Sequence, residues 1–272
     1  MSYFPLTPLD GRIAVVTGGA RGIGFESAKA LKEGGAIVVI VDVNAEGGAK
    51  AAEQLGIDFL QVDLTQSDQV AKLAADVRSK YGRIDIAFNN AGIAVNVPSE
   101  ECTDEDWHKV ININLSAVFY CCREFGKMML SQGKGSIINT ASMSGIISNT
   151  PQPQAAYNTS KAGVIMLTKS LAGEWARRGV RVNCILPAQV LGANGLGPRM
   201  EADPWLRDTF LRGIPAGRFG QPDDIKGLSV LLASDAADWI TGAAIPMDGG
   251  NLAMNAGGGL LAPIMERYGV KR

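Results

Sequence analysis

The 272-residue chain is 46% apolar and sets 26 basic against 27 acidic side chains, a formal net charge of −1. That is enough to bury one sizeable core, and α/β chains of this length usually fold as a single domain, here expected over 1–272. A near-neutral chain without blocks of like charge gives no electrostatic support for nucleic-acid or anionic-membrane binding, and no apolar run is long enough to span a bilayer. The opening Met1-Ser2-Tyr3-Phe4-Pro5 lacks the basic and apolar regions of a signal peptide, so a cytoplasmic protein is expected.

Apolar strands and helical stretches alternate in chain order. Strands are predicted at 13–17, 36–41, 59–62, 84–89, 136–141, 180–186 and 244–247. Helices are predicted at 25–33, 47–55, 67–81, 104–130, 155–177 and 222–232. Strands that are apolar on both faces, separated by helices, indicate a parallel sheet covered on each side. The Gly- and Pro-containing stretch from Pro187 to Pro215 interrupts the alternation and reads as a loop-plus-helix lid, about 188–215.

The first strand–helix junction reads Thr17-Gly18-Gly19-Ala20-Arg21-Gly22-Ile23-Gly24. Glycines let the backbone turn sharply and approach a pyrophosphate held at the positive end of the next helix. A P-loop would need Lys and then Ser or Thr after Gly24, but Phe25 and Glu26 follow, leaving a variant of the dinucleotide fingerprint. Asp42, at the end of the second strand, can accept hydrogen bonds from the adenosine ribose hydroxyls of NAD and repel the 2′-phosphate of NADP. Arg21 in the loop argues the other way, since a basic residue there can meet a phosphate. No Arg or Lys stands at Val43 or Asn44, so NAD is expected over NADP.

Tyr157 and Lys161 lie four residues apart on one predicted helical face, after Asn139-Thr140-Ala141-Ser142 leaves a strand. A cation beside a phenol favours the phenolate, and a serine hydroxyl nearby could hold an alcohol or carbonyl oxygen against it. The same spacing also describes an ordinary surface pair. The four cysteines (Cys102, Cys121, Cys122 and Cys184) have no metal-type spacing and read as small hydrophobes; His108 is the only histidine, so no metal site is expected.

With these motifs in order, the chain resembles the classical short-chain dehydrogenase/reductase family over nearly its full length. The glycine loop, Asn89-Asn90-Ala91-Gly92, Ser142 and Tyr157-Asn158-Thr159-Ser160-Lys161 carry the resemblance. It implies a single doubly wound Rossmann-type domain of about seven parallel strands, usually assembled as a homotetramer through two long helices. It implies cofactor contacts from Gly18, Arg21, Gly22, Ile23, Gly24, Asp42, Asp63, Leu64, Asn90, Ala91, Gly92, Tyr157, Lys161, Pro187 and Val190. It also implies catalytic roles for Asn114, Ser142, Tyr157 and Lys161. Tyr157 would transfer the hydroxyl proton, Lys161 lower its pKa and bond the nicotinamide ribose, Ser142 orient the substrate oxygen, and Asn114 hold a water linking Lys161 to solvent. The chain departs from the family at Pro187-Ala188, where Pro-Gly is common, and at Gly192, where a threonine often contacts the nicotinamide amide. Backbone groups of Val190 could replace that contact. The extension 251–272, with Gly257-Gly258-Gly259, reads either as a cover for a neighbouring subunit's site or as a frayed tail.

The stretch Ser148-Asn149-Thr150-Pro151-Gln152-Pro153-Gln154 is rich in amides and hydroxyls, and Pro-Gln-Pro-Gln-Ala-Ala-Tyr resembles the polyol and sugar-acid branch. A polar lining suits a hydroxyl-rich small molecule, so Ser142, Gln152, Gln154 and Tyr157 are the expected substrate contacts. The same amides also suit turn chemistry. Arg199 in the lid could meet a carboxylate or simply face solvent. Three functions stand at this point: an NAD-dependent polyol, sugar or sugar-acid dehydrogenase; a reductase of β-ketoacyl or other apolar ketones using NADPH; or a non-catalytic dinucleotide-binding protein.

Overall fold

Runs of Val, Ile and Ala, able to pack on both faces of a pleated sheet, form β1 (Ile13–Thr17), β2 (Ile37–Asp42), β3 (Asp58–Gln61), β4 (Ile86–Asn89), β5 (Gly135–Thr140), β6 (Val180–Pro187) and β7 (Ala244–Met247). The computed structural model describes residues 9–192 and 196–254. Every neighbouring pair of strands is parallel, in the order β3-β2-β1-β4-β5-β6-β7. Around the sheet lie α1 (Gly22–Glu33), α2 (Ala45–Leu55), α3 (Ser67–Tyr81), α4 (Asp104–Ile111), α5 (Ala117–Gln132), α6 (Ala155–Trp175), α7 (Leu196–Ala202), α8 (Pro204–Arg212) and α9 (Lys226–Ala233).

Alternation along each strand divides the core. Val15 and Ile137 pack with Val70, Phe125 and Val164 of α3, α5 and α6 on one face. Val16 and Ile138 pack with Leu31, Leu55 and Leu232 of α1, α2 and α9 on the other. Cys121, Cys122 and Cys184 are buried, and burial pushes the Cys122 thiol up to about 12 and Cys184 to about 11, so they remain neutral packing residues. The chain leaves β1 towards β2 and returns to β4 on its other side, so a crevice opens beyond their carboxyl ends.

Three expectations are corrected. The predicted helix 104–130 is α4, a π turn over Asn112–Ser116 and then α5. Its side-chain cause is Asn114, whose amide turns away from the helix to bond Ile93. The predicted strand 84–89 begins only at Ile86, because the Gln132 amide takes both backbone groups of Ile84. The lid holds two helices, α7 and α8, closed over their own small core of Met200, Leu206, Phe210, Ile214 and Phe219. Of the extension 251–272, only residues to 254 are described, and Gly257-Gly258-Gly259 lie outside the described residues. Among the described residues, no helix is long and apolar enough to cross a membrane.

Candidate active site

The crevice at the switch point is a cleft of about 760 Å³. Its floor is the glycine loop. Gly18 and Gly22 have φ of +64° and +58°, the left-handed region that a side chain disfavours. A Cβ on Gly24 would stand 2.1 Å from the Gly18 carbonyl oxygen, and one on Gly18 would stand 2.9 Å from the Ala91 Cα. Only bare backbone lets β1, α1 and the β4 end approach this closely. Thr17 holds them in place, its hydroxyl accepting from Asn90 N at 2.9 Å and Ala91 N at 3.2 Å, while Asn90 Nδ2 donates to Gly18 O at 3.2 Å.

One end of the cleft is acidic. Asp42 accepts from Ala20 N at 3.1 Å and Asn44 N at 3.0 Å, which fixes its carboxylate at the rim. Hydrogen bonds from Thr65 hold the Asp63 carboxyl below the usual range, so it remains an acceptor. Leu64, Asn90, Ala91, Gly92, Arg21, Ile23 and Val190 also line this space. The isolated bridge between Val190 and Gly220 uses Leu191 N and Gln189 O, and neither bond uses Val190's own N–H or C=O. A backbone cradle that a Cβ would fill, followed by two fixed carboxylates, fits a dinucleotide with its pyrophosphate at α1 and its ribose at Asp42.

Beyond Gly92, whose position adjoins Asn114 and Lys161, stand the four residues expected to do chemistry. Lys161 is buried and donates to Thr140 O at 2.7 Å, with its nitrogen 5.6 Å from the Tyr157 ring centroid. Burial lowers its pKa to about 8. Burial also pushes the Tyr157 phenol above its ordinary value, and the adjacent Ser142 hydroxyl pulls it part of the way back. Desolvation dominates at this phenol, while the Lys161 ammonium is engaged by the Thr140 carbonyl. Ser142 Oγ donates to Pro187 O at 3.4 Å and accepts from Ser144 N at 3.1 Å. Asn114 is fully buried; it accepts from Ile93 N at 2.8 Å and donates to Ile93 O and Ser160 Oγ. A Cβ on Gly92 would lie 3.0 Å from Asn114 Oδ1 and 3.5 Å from Lys161 Nζ, so the absent side chain keeps open the space between them.

The two glutamines expected to meet substrate are engaged within the protein. Gln154 is buried, its amide nitrogen 3.3 Å from Ser144 Oγ and 3.0 Å from Asn158 Oδ1. Gln152, with its oxygen turned to the lid, accepts from both Arg199 nitrogens at 2.9 and 3.1 Å and donates to Gln154 Oε1 at 3.1 Å. Arg199 therefore anchors α7 through Gln152, Gln154 and Ser144 to the backbone turn that carries Ser142. Sequence reading missed Thr17, Thr65, Thr140, Lys109 and Gln189. Thr17 and Thr65 flank acidic or glycine-rich strand ends and were within reach of the motif logic. Lys109 enters the cleft only because α4 packs beside it.

The family model described as enoyl-(acyl carrier protein) reductase matches residues 18–251. D-threitol dehydrogenase of Mycolicibacterium smegmatis is 43% identical over 251 residues, 89% of this chain and 93% of its own. Galactitol 2-dehydrogenase of Rhizobium johnstonii is 40% identical over 263 residues, 92% and 98% respectively. A 3-oxoacyl-(acyl-carrier-protein) reductase of Thermotoga maritima is 38% identical over 248 residues, 89% and 98%. The crystal structure of gox2181 matches with a TM-score of 0.88 at 41% identity, covering 91% of this chain and 98% of that one. A gluconate 5-dehydrogenase from Burkholderia cenocepacia, solved with NADP and tartrate, has a TM-score of 0.86 at 33% identity, covering 92% and 98%. The chain therefore belongs to the short-chain dehydrogenase/reductase family, NAD(P)-dependent enzymes acting on CH–OH groups. Within the family it is similar to the polyol dehydrogenases.

Proposed function

We propose that this enzyme oxidises a secondary alcohol on a polyol, sugar or sugar acid, with NAD as the preferred cofactor. The observation that carries the reading is that the cleft with Asp42 and Asp63 at its rim reaches Gly92, which stands against Asn114 and Lys161, and that Tyr157 lies beside Lys161 and Ser142. The threitol and galactitol dehydrogenase relatives support the substrate class. A bound nicotinamide dinucleotide supplies the hydride acceptor or donor. Tyr157 takes the proton of the substrate hydroxyl, and Ser142 orients that oxygen. Lys161, buried and cationic below about pH 8, would hold the nicotinamide ribose, and its charge beside Tyr157 would favour the phenolate. The gap beside Gly92 gives the proton a water path from Lys161 past Asn114. Asp42 accepts from ribose hydroxyls and repels a 2′-phosphate.

The test is initial-rate kinetics with NAD and NADP across alditols, aldonic acids, 3-hydroxyacyl thioesters and hydroxysteroids. Turnover of alditols with NAD is expected, and Asp42→Ser should shift preference towards NADP. Activity confined to NADP would sink the cofactor assignment. A second reading, reduction of β-ketoacyl substrates, draws on the 3-oxoacyl reductase relative, and exclusive turnover of thioesters would establish it. Tyr157→Phe should abolish turnover while leaving NAD affinity nearly unchanged; surviving activity would overturn the catalytic assignment. A cytoplasmic homotetramer is part of the same reading. The exposed Phe119 and Met166 on the two long helices α5 and α6 support that assembly, and light scattering in solution tests it.

A further inference from the structure

Ser142 follows β5 and opens a single 3₁₀ turn, Met143–Gly145, which lies on the helix that carries Tyr157 and Lys161. A Cβ on Gly145 would stand 2.7 Å from the Lys161 carbonyl carbon and 2.8 Å from Ala162 N, so the turn touches the α6 backbone there. Gln154, at the N-cap of α6, makes a second junction. Its amide nitrogen donates to Ser144 Oγ at 3.3 Å and to Asn158 Oδ1 at 3.0 Å, and its oxygen accepts from the Gln152 amide at 3.1 Å. Ser144 N in turn donates to Ser142 Oγ at 3.1 Å. The Gln154 amide, the Ser144 hydroxyl and the Ser144 N–H thus link the first turn of α6 to the serine hydroxyl. Along α6, Tyr157 stands between the Gln154 and Gly145 junctions.

Both side chains are shut away from water, Gln154 at 5% exposed and Ser144 at 4%. Packing alone does not call for this pair, since replacing both partners of a buried hydrogen bond by apolar groups of the same shape can be nearly neutral for stability. What a satisfied buried amide adds is direction. Both its nitrogen and its oxygen are engaged, so it holds the turn in one arrangement against the helix. A reacting oxygen has to meet the Ser142 hydroxyl and the Tyr157 phenol together, and a misplacement of about 1 Å at such a site can cost roughly 10²-fold in rate. We propose that Gln154 is a positioning residue which, through Ser144, fixes the Ser142 hydroxyl relative to the Tyr157 phenol. The inference rests on the reading of Ser142 and Tyr157 as catalytic, and extends it to a side chain engaged within the protein.

Kinetics of Gln154→Met and Ser144→Ala, each alone and each combined with Ser142→Ala, decide it on D-threitol and a 3-hydroxybutyryl thioester, the alcohols of the two substrate readings. Either single variant should lower kcat about tenfold with KM and NAD affinity within about twofold, because the bond orients the reacting centre rather than holding the ligands. Both should also move the acid-side limb of the kcat profile to higher pH, as the hydroxyl that draws the Tyr157 phenol down loses its place. Added to Ser142→Ala, neither should cost more than about twofold further, since the effect passes through that serine. Far-ultraviolet circular dichroism checks the fold of each variant. Should Gln154→Met not fold, Ser144→Ala removes the other end of the same bond and carries the test. Unchanged kcat in the single variants, or a tenfold loss that persists on top of Ser142→Ala, would overturn the role of Gln154 while leaving the catalytic reading intact. A wild type that oxidises neither alcohol, or turnover that survives Tyr157→Phe, would remove that reading, and the inference with it.

Discussion

Two buried titratable side chains at the reacting end pull against their own charged forms. Lys161 is lowered by burial to about 8 from 10.5, so its cost to the folded state is full below about pH 8, where it is charged both folded and unfolded. That cost fades as pH climbs towards 10.5, because only the unfolded chain still binds the proton. Lys161→Met should therefore improve stability relative to wild type more at pH 7 than at pH 10, and paired urea midpoints at the two values measure the difference. A constant offset at both would mean the ammonium is not desolvated in solution. Tyr157 is raised by burial and drawn back by Ser142. Ser142→Ala removes that pull, so the acid-side limb of the kcat profile for alcohol oxidation, where the phenol must lose its proton, should move to higher pH, with kcat down roughly 10²–10⁴-fold. An unshifted limb would show that Ser142 does not act on the phenol.

Among the elements, the glycine loop has the least tolerance. Gly24→Ala would place a methyl 2.1 Å from Gly18 O, which is backbone and cannot yield as a flexible side chain can. NAD affinity should fall more than tenfold by titration while the far-ultraviolet circular dichroism stays native. Unchanged affinity would mean that the close packing of β1 on α1 does not set the phosphate cradle. The π turn between α4 and α5 shows the opposite design. There a wide turn releases Asn114 inward, and three hydrogen bonds satisfy its amide at a place where an ordinary helical turn would leave it packed against its own backbone.

Over the whole molecule, stability resides in the two layers flanking the sheet rather than in charge pairs. Phe125, fully buried between α5 and the sheet, should cost about 3–5 kcal/mol as Phe125→Ala. Asp235 pairs with Arg12 at 2.7 Å and Lys134 at 2.9 Å, yet its side chain is 49% exposed, so Asp235→Ala should cost less than about 1 kcal/mol and matter less at high salt. Denaturant titrations of both variants at low and high ionic strength test the contrast, and a larger loss at Asp235 would reverse it. The sequence by itself determined the alternation of strands and helices, the boundaries of α3 and β7, the glycine loop with its acidic strand end, and the residue set around Tyr157, because period, turn chemistry and local spacing are written along the chain. Only the tertiary structure decided that Gln154 turns to Ser144 while Gln152 anchors Arg199 of the lid. It also decided that Lys161 donates to a carbonyl of β5 and that the Gln189 amide oxygen is buried without a hydrogen-bond partner among the described residues. Such partners lie on elements far apart in sequence, and whether an amide or ammonium is satisfied depends on which backbone groups folding brings beside it and how much water it removes.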